Sequence, residues 1–452
     1  MDDVNKPHIV LVLADQVAAA ALPAYGNRVA KAPNLDRLAG EGLVYERAYC
    51  ASPLCVPSRT SLMTGLLPSQ TGAFDNAGEL PASIPTFAHH LRLEGYRTVL
   101  VGKMHFIGPD QLHGFEERPM TDVYPAGFDW IPDWNLADDE RLSWYHDLSS
   151  VLRAGPVTAT LQTDYDAEVV RRSLEAIETA DRPLLLVVSF THPHDPYEVP
   201  HEYWDRYDGV EIDPPASPEP GGDPSTRRLR AMVDAGRIPV SPEQVLHARR
   251  GYYGAISLVD DYVGMILDAL DDAAVVVFTS DHGDMLGERG LWYKMAPFEQ
   301  SIRVPLIVRA GKAGRVGAPV SLLDLGASLV GRGSELPERE VPIEYLAEGV
   351  RSPQVLLIRG DRKLVRTFGE PDLVYDESDR LADDDTLGAA ADARWDLESL
   401  DAEVRESQRR RHLVAKALAV GRIAKWDHPE GDARYIDTGD DFWTTLERGR
   451  RS

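Results

Sequence analysis

The chain reads as an α/β protein: a large central, mostly parallel sheet flanked by helices, followed by a smaller C-terminal α+β unit. Two observations lead to this expectation. Four short apolar runs, at 8–15, 97–106, 184–190 and 274–279, lack the alternation of a half-exposed strand. Such runs suit strands covered on both faces by helices. Each also ends in polar or ionisable residues: Asp15-Gln16, Lys103-Met104-His105, Thr191-His192-Pro193-His194-Asp195 and Ser280-Asp281-His282. In an open α/β sheet the carboxyl edge of the strands is where ligands bind.

The remaining elements follow in order. Segment 33–42, with Pro early and Gly late, is expected to be a short helix, and 83–94 another, closed by Gly95. Between them, Pro57 and Ser58 read as a start signal, and 60–67 carries apolar residues at helical spacing, with Gly65 tolerated inside. Cys55 is thus expected just before a helix, where unpaired N–H groups and the dipole favour an anion. Further helices are expected over 163–180 and 242–270. Segment 205–225, dense in Pro, Gly and Asp, reads as a surface excursion. Segment 122–145 is rich in Trp, Tyr and Asp without a steady period, which suits a substrate-side loop. After 305–308 one more strand and a helix at 321–331 are expected.

Beyond about residue 340 the texture changes. Segment 354–366 reads as two antiparallel strands joined at Gly360-Asp361, and a long charged amphipathic helix at 393–420 precedes an aromatic, acidic tail. The expected units are therefore 1–340 and 341–452.

The formal charge of −25 argues against nucleic acid and anionic membranes as partners. It favours a cationic ligand, whereas an anionic one needs local compensation from Arg, Lys or a metal. With only Cys50 and Cys55 present, a disulfide framework and a cysteine-based zinc site are both excluded. The polar start of the chain offers no secretory or membrane-spanning run, so a cytoplasmic location is expected. The amphipathic helix and the tail point to a homo-oligomer, with a purely intrachain role as the alternative.

A free cysteine in an apolar segment is most often a small buried hydrophobe, and position alone leaves that reading open for Cys55. The run Cys55-Val56-Pro57-Ser58-Arg59-Thr60-Ser61-Leu62-Met63-Thr64-Gly65, however, resembles the signature of the sulfatase family. In that family the cysteine is oxidised to formylglycine, whose hydrate is the nucleophile. The resemblance implies the sulfatase fold of the alkaline-phosphatase superfamily and maturation by a formylglycine-generating enzyme. It also implies a divalent ion, Ca²⁺ or else Mg²⁺ or Mn²⁺, held by Asp15, Asp281, His282 and residue 55. Gln16 stands where many members carry a second acid; its amide oxygen can coordinate, with one charge fewer. Arg59, Lys103, His105, His194 and Lys294 take the family's catalytic positions.

The residues support this independently. Oxygen-rich donors suit a hard divalent ion, and sulfuryl transfer needs its nonbridging oxygens held by cations. Within the family, 102–116, 191–197, 280–294 and 394–397 resemble the branch that acts on choline sulfate. That implies a small sulfate ester with a cationic alcohol part, with Trp130 and Trp144 facing choline. A trimethylammonium group cannot donate hydrogen bonds, so ring faces and carboxylates must recognise it. The loop offers Trp130, Trp134, Trp144 and Tyr145 with Asp129 and Asp133. Packing of the rings onto the sheet is the alternative. By resemblance, the tail around Trp426 completes a neighbouring subunit's pocket. The rival functions are a phosphonate or phosphodiester hydrolase, a general arylsulfatase, and a silent quaternary-ammonium-binding protein.

Overall fold

The structure is a computed structural model that describes residues 6–137, 140–384 and 386–420. The tail around Trp426 lies outside the described residues. Up to residue 321 the strands are β1 (Ile9–Ala14), β2 (Leu43–Tyr49), β3 (Arg97–Gly102), β4 (Gly155–Val157), β5 (Leu184–Phe190), β6 (Glu198–Pro200), β7 (Val275–Ser280), β8 (Arg303–Val304), β9 (Leu306–Arg309) and β10 (Gly314–Ser321). The main sheet runs β10-β2-β9-β7-β1-β5-β3, with β8 also on β2, while β4 and β6 form a separate pair.

The apolar runs become β1, β3, β5 and β7, parallel neighbours whose residues are buried almost throughout. The sheet is mixed beyond them, because β9 runs antiparallel to both β7 and β2. Strand β2, with Glu46 and Arg47 inside a short apolar frame, has no strand expectation in the sequence and finds its place by pairing with β10 and β9.

Register sets the site. Ala14 lies opposite both Phe190 and Ser280, and Gly102 opposite Ser189. The strands therefore end level, and Asp15, Lys103, Thr191 and Asp281 leave the sheet at one edge. Helices Leu161–Glu178 and Pro242–Asp268 cover it, capped by Thr160 and Ser241 side chains that accept from Thr163 N–H and Gln244 N–H.

Two expected helices are corrected. The Cys55 helix is Cys55–Thr64, so Cys55 is its first residue, not the one before it. It ends where Gly65 adopts φ +74° and donates to the Ser61 carbonyl, a left-handed conformation that glycine takes without a Cβ clash. The helix expected over 83–94 is only Phe87–Leu93: Pro85 disfavours helical backbone at Ile84, and Thr86 caps the start.

The carboxyl part holds an antiparallel sheet, β11 (Val341–Tyr345), β12 (Gln354–Arg359), β13 (Arg362–Thr367) and β14 (Leu373–Asp376), in that order. The expected hairpin is β12–β13, with Gly360 at φ +56°. The long helix expected over 393–420 is Leu397–Leu418, and a further helix, Thr386–Arg394, precedes it. Asp396 caps the second by accepting from Ser399 N–H at 3.1 Å, while the Trp395 indole donates to Glu344 Oε1 at 2.8 Å. Leu400, Val404, Ser407, Gln408 and Arg411 of that helix are buried against the rest of the chain. Among the described residues no helix is long and apolar enough to cross a membrane.

Candidate active site

Cys55 is brought to the level edge by its helix, where its Sγ lies 3.3 Å from His282 Nε2 and 3.7 Å from Lys103 Nζ. Burial pushes its thiol up to about 11, with Lys103 only partly opposing this. A neutral buried thiol is a poor nucleophile.

Asp15 and Asp281 face each other across this point. Arg59 clamps both: its Nε donates to Asp281 Oδ2 at 2.8 Å, and one terminal nitrogen lies 3.4 Å from Asp15 Oδ2. Its other terminal nitrogen donates to the Lys103 carbonyl and to Ser189 Oγ, both at 2.9 Å. Lys103 Nζ sits directly on Asp15 Oδ2. Burial alone would raise the Asp15 carboxyl, but Lys103, then His194 and Arg59, hold it well below the usual range. At Asp281 burial is likewise outweighed, chiefly by Arg59.

Asp15, Cys55, Asp281 and His282, all buried, each offer a ligand atom within 4.8 Å of the others. Asp15 Oδ1 has no hydrogen-bond partner among the described residues, and a fully buried, unpaired carboxylate oxygen is costly unless a cation meets it. The donor set therefore fits a divalent metal. The Gln16 amide oxygen accepts from Lys294 Nζ at 2.8 Å and its amide nitrogen donates to Asp284 Oδ2 at 2.7 Å, so it ties Lys294 to the strand end.

Lys294 Nζ also lies 2.6 Å from His194 Nε2. Burial and then Lys294 lower His194 to about 3, so the ring is neutral. The ammonium therefore donates to Nε2, and the ring's Nδ1–H donates to the Asp195 carbonyl at 2.9 Å. His105, at φ +60°, stacks on Tyr124 with ring centroids 4.6 Å apart and meets the edge of Trp130 at 5.5 Å. Burial and then Lys103 lower His105 to about 3. Asp122 holds this turn, accepting from Met104 N–H and His105 N–H at 2.7 and 2.6 Å.

One cavity joins these groups to the aromatic loop. It is lined by Cys55, His105, His194 and Lys294, and by Trp130, Trp144, Tyr124, Asn76, His146 and Glu348. Trp134 is buried elsewhere, its indole donating to the Ala347 carbonyl at 3.0 Å, so for this ring packing is the role seen. The carboxylate in the cavity wall is Glu348 rather than Asp129 or Asp133. Glu348 is 3% exposed, and its Oε2 has no hydrogen-bond partner among the described residues. Burial raises its pKa to about 7. Sequence reasoning missed Asn76, Tyr124, His146 and Glu348. Tyr124 and His146 lie in or beside the aromatic loop, but nothing around Asn76 or Glu348 distinguishes them.

Strand-end acids, an Arg and Lys clamp and a helix-initiating cysteine define a hydrolase of anionic esters on an alkaline-phosphatase-like α/β fold. The chain belongs to the sulfatase family, whose profile matches residues 7–332. A second profile, described as choline sulfatase enzyme C terminal, matches residues 402–451. A choline-sulfatase of Rhizobium meliloti (strain 1021) is 41% identical over 506 residues, spanning 99% of this chain and 98% of the relative. An arylsulfatase of Clostridium perfringens is 27% identical, over 69% of this chain and 71% of the relative. A solved phosphonate monoester hydrolase of Agrobacterium radiobacter superposes with a TM-score of 0.66 at 21% identity, over 92% of this chain and 96% of its own. At that identity it shows the fold alone.

Proposed function

We propose that the protein hydrolyses choline-O-sulfate to choline and sulfate. The carrying observation is the cavity itself: Cys55 and Lys294 line the same space as Trp130, Trp144 and the buried carboxylate of Glu348. Ring faces and a carboxylate suit a quaternary ammonium, and the likeness to a choline-sulfatase agrees with this. A neutral aromatic alcohol would leave Glu348 buried and uncompensated.

As the formylglycine hydrate, residue 55 supplies one hydroxyl to attack sulfur and a second whose deprotonation lets the sulfate leave, an exit a thiol lacks. Arg59 and Lys103 hold the acids and offer positive charge to the nonbridging oxygens. Lys294, oriented by Gln16 and His194, carries the proton for the departing choline oxygen. His105, held neutral, lines the cavity with residue 55, although burial and Lys103 make it a weak base. Asp15, Asp281 and His282, with residue 55, would hold the divalent ion. The mostly oxygen donor set suits a hard ion such as Ca²⁺ or Mg²⁺, and when bound the ion would supply Lewis-acid polarisation at the nucleophile.

Maturation by a formylglycine-generating enzyme, a cytoplasmic location and self-association belong to the same proposal. The test is a steady-state comparison of choline sulfate with an aryl sulfate and an aryl phosphodiester, on protein whose residue 55 has been checked by mass spectrometry. Choline sulfate should have the highest kcat/KM; preference for the phosphodiester would refute the reading. Light scattering at about the 50.0 kDa of one chain would refute self-association.

A further inference from the structure

The helix Leu397–Leu418 presents a polar stripe to the loops that form the cavity wall. Arg405 donates to the Arg351 carbonyl at 2.7 Å and lies 5.5 Å over the Trp134 ring. Gln408 Oε1 accepts from Trp134 N–H at 3.2 Å, and His412 Nε2 lies 3.3 Å from the Pro132 carbonyl. Between them, Arg411 grips both oxygens of Asp75, at 2.5 and 2.7 Å. Asp75 is fully buried and Arg411 only 9% exposed.

Asp75 anchors the turn that carries Asn76: its Oδ1 accepts from Ala77 N–H at 3.0 Å and its carbonyl from Gly78 N–H at 2.8 Å. Asn76 Oδ1 in turn accepts from Val56 N–H, next to Cys55, at 3.1 Å. Asn76 lines the cavity beside Cys55. An unbroken series of contacts thus runs from Arg411 through Asp75 and Asn76 to the first turn of the Cys55 helix. A bidentate Arg–carboxylate pair fixes orientation as well as distance, which a lysine in the same place cannot do.

We propose that Arg411 is a positioning residue for the active site. Through Asp75 it fixes Asn76 against the first turn of the Cys55 helix, which carries both residue 55 and Arg59. The proposal rests on the choline sulfate reading above.

The test measures KM and kcat for choline sulfate and for a neutral aryl sulfate in wild type, Arg411→Lys and Arg411→Gln. Melting temperature, metal content and formylglycine content are recorded for each. Arg411→Gln should lower kcat by about three- to thirtyfold on both esters alike, with KM moved by less than about twofold and with metal and formylglycine content kept. Arg411→Lys should fall between, because it keeps the charge but loses the fork. A kcat loss that merely tracks lost formylglycine or metal would mean a merely structural role and overturn the proposal, as would unchanged kcat in folded Arg411→Gln. Should Arg411→Gln not fold, the doubly neutral variant D75N/R411Q removes the buried charges together and keeps a hydrogen bond. It should still lower kcat on both esters by about two- to fivefold, and a wild-type kcat there overturns the proposal. A wild type inactive on choline sulfate refutes the functional reading and this proposal with it. An active wild type with unmoved kcat in the variants overturns the positioning role alone.

Discussion

Glu348→Gln keeps the shape of the cavity wall and removes its buried charge. A quaternary ammonium about 5 Å from that carboxylate, at an effective dielectric of about 20, gains about 3 kcal/mol. Part is offset by reorganisation of the site, so the variant should lose about 1–3 kcal/mol, or about 5- to 150-fold in kcat/KM for choline sulfate. The pH profile gives a sharper test. Burial raises Glu348 to about 7 in the free protein, and only the ionised form attracts the cation. The wild-type kcat/KM should therefore fall as pH drops below about 7, toward the level of Glu348→Gln, and level off above it, and this limb should vanish in Glu348→Gln. Stability should move the other way. The native carboxyl, at about 7, binds its proton more tightly than an unfolded one at 4.5, so wild-type stability falls as pH rises across that window. At pH 8 the Gln variant should melt about one to three degrees higher. The assays are initial rates from pH 5.5 to 9 on choline sulfate and a neutral aryl sulfate, with melting curves alongside. Equal loss on both esters, or a persisting limb near pH 7, would refute the assignment of Glu348 to the cation.

Other expectations follow from the same geometry. Asp281→Asn should lower metal occupancy and turnover together, checked by elemental analysis, because it halves the carboxylate set and releases Arg59. The peptide spanning residue 55 should be lighter than the cysteine form by about 18 Da in active preparations; a free thiol in a fully active sample would contradict this. Trp144→Ala should cut kcat/KM for choline sulfate by about two- to thirtyfold, and less for an isostere with tert-butyl in place of trimethylammonium. Asp122→Ala should lower kcat on both esters alike, because it frees the Met104 and His105 N–H groups that hold the Lys103–His105 turn.

The sequence by itself determined the layered sheet, its ligand-binding edge and the Cys55 motif. Strands buried on both faces must be apolar at nearly every position, so β1, β3, β5 and β7 are visible as uninterrupted runs. The residues just past them sit at the edge whatever the rest of the fold does. The strand β2 was not visible in this way, because its mixed run Leu43–Tyr49 is stabilised by pairing with β10 and β9, about 270 residues away, and not by local pattern. The helix starting at Cys55 was legible, yet its first residue and its end at Gly65 depended on the backbone conformations adopted there.

Tertiary structure alone decided which acid meets the cavity and what braces it. Asp129 and Asp133, close to the tryptophans in sequence, lie outside the lining, while Glu348, more than two hundred residues away, is within it. Gln16 is a partner of Lys294 and Asp284 because those groups converge on it from other loops. Arg411 and Asp75 are 336 positions apart and meet only when the last helix packs on the cavity loops. Periodicity reports burial of a face within one element. It carries no information about which side chain of a distant element will fill, charge or hold that face, because that choice is made by packing between elements.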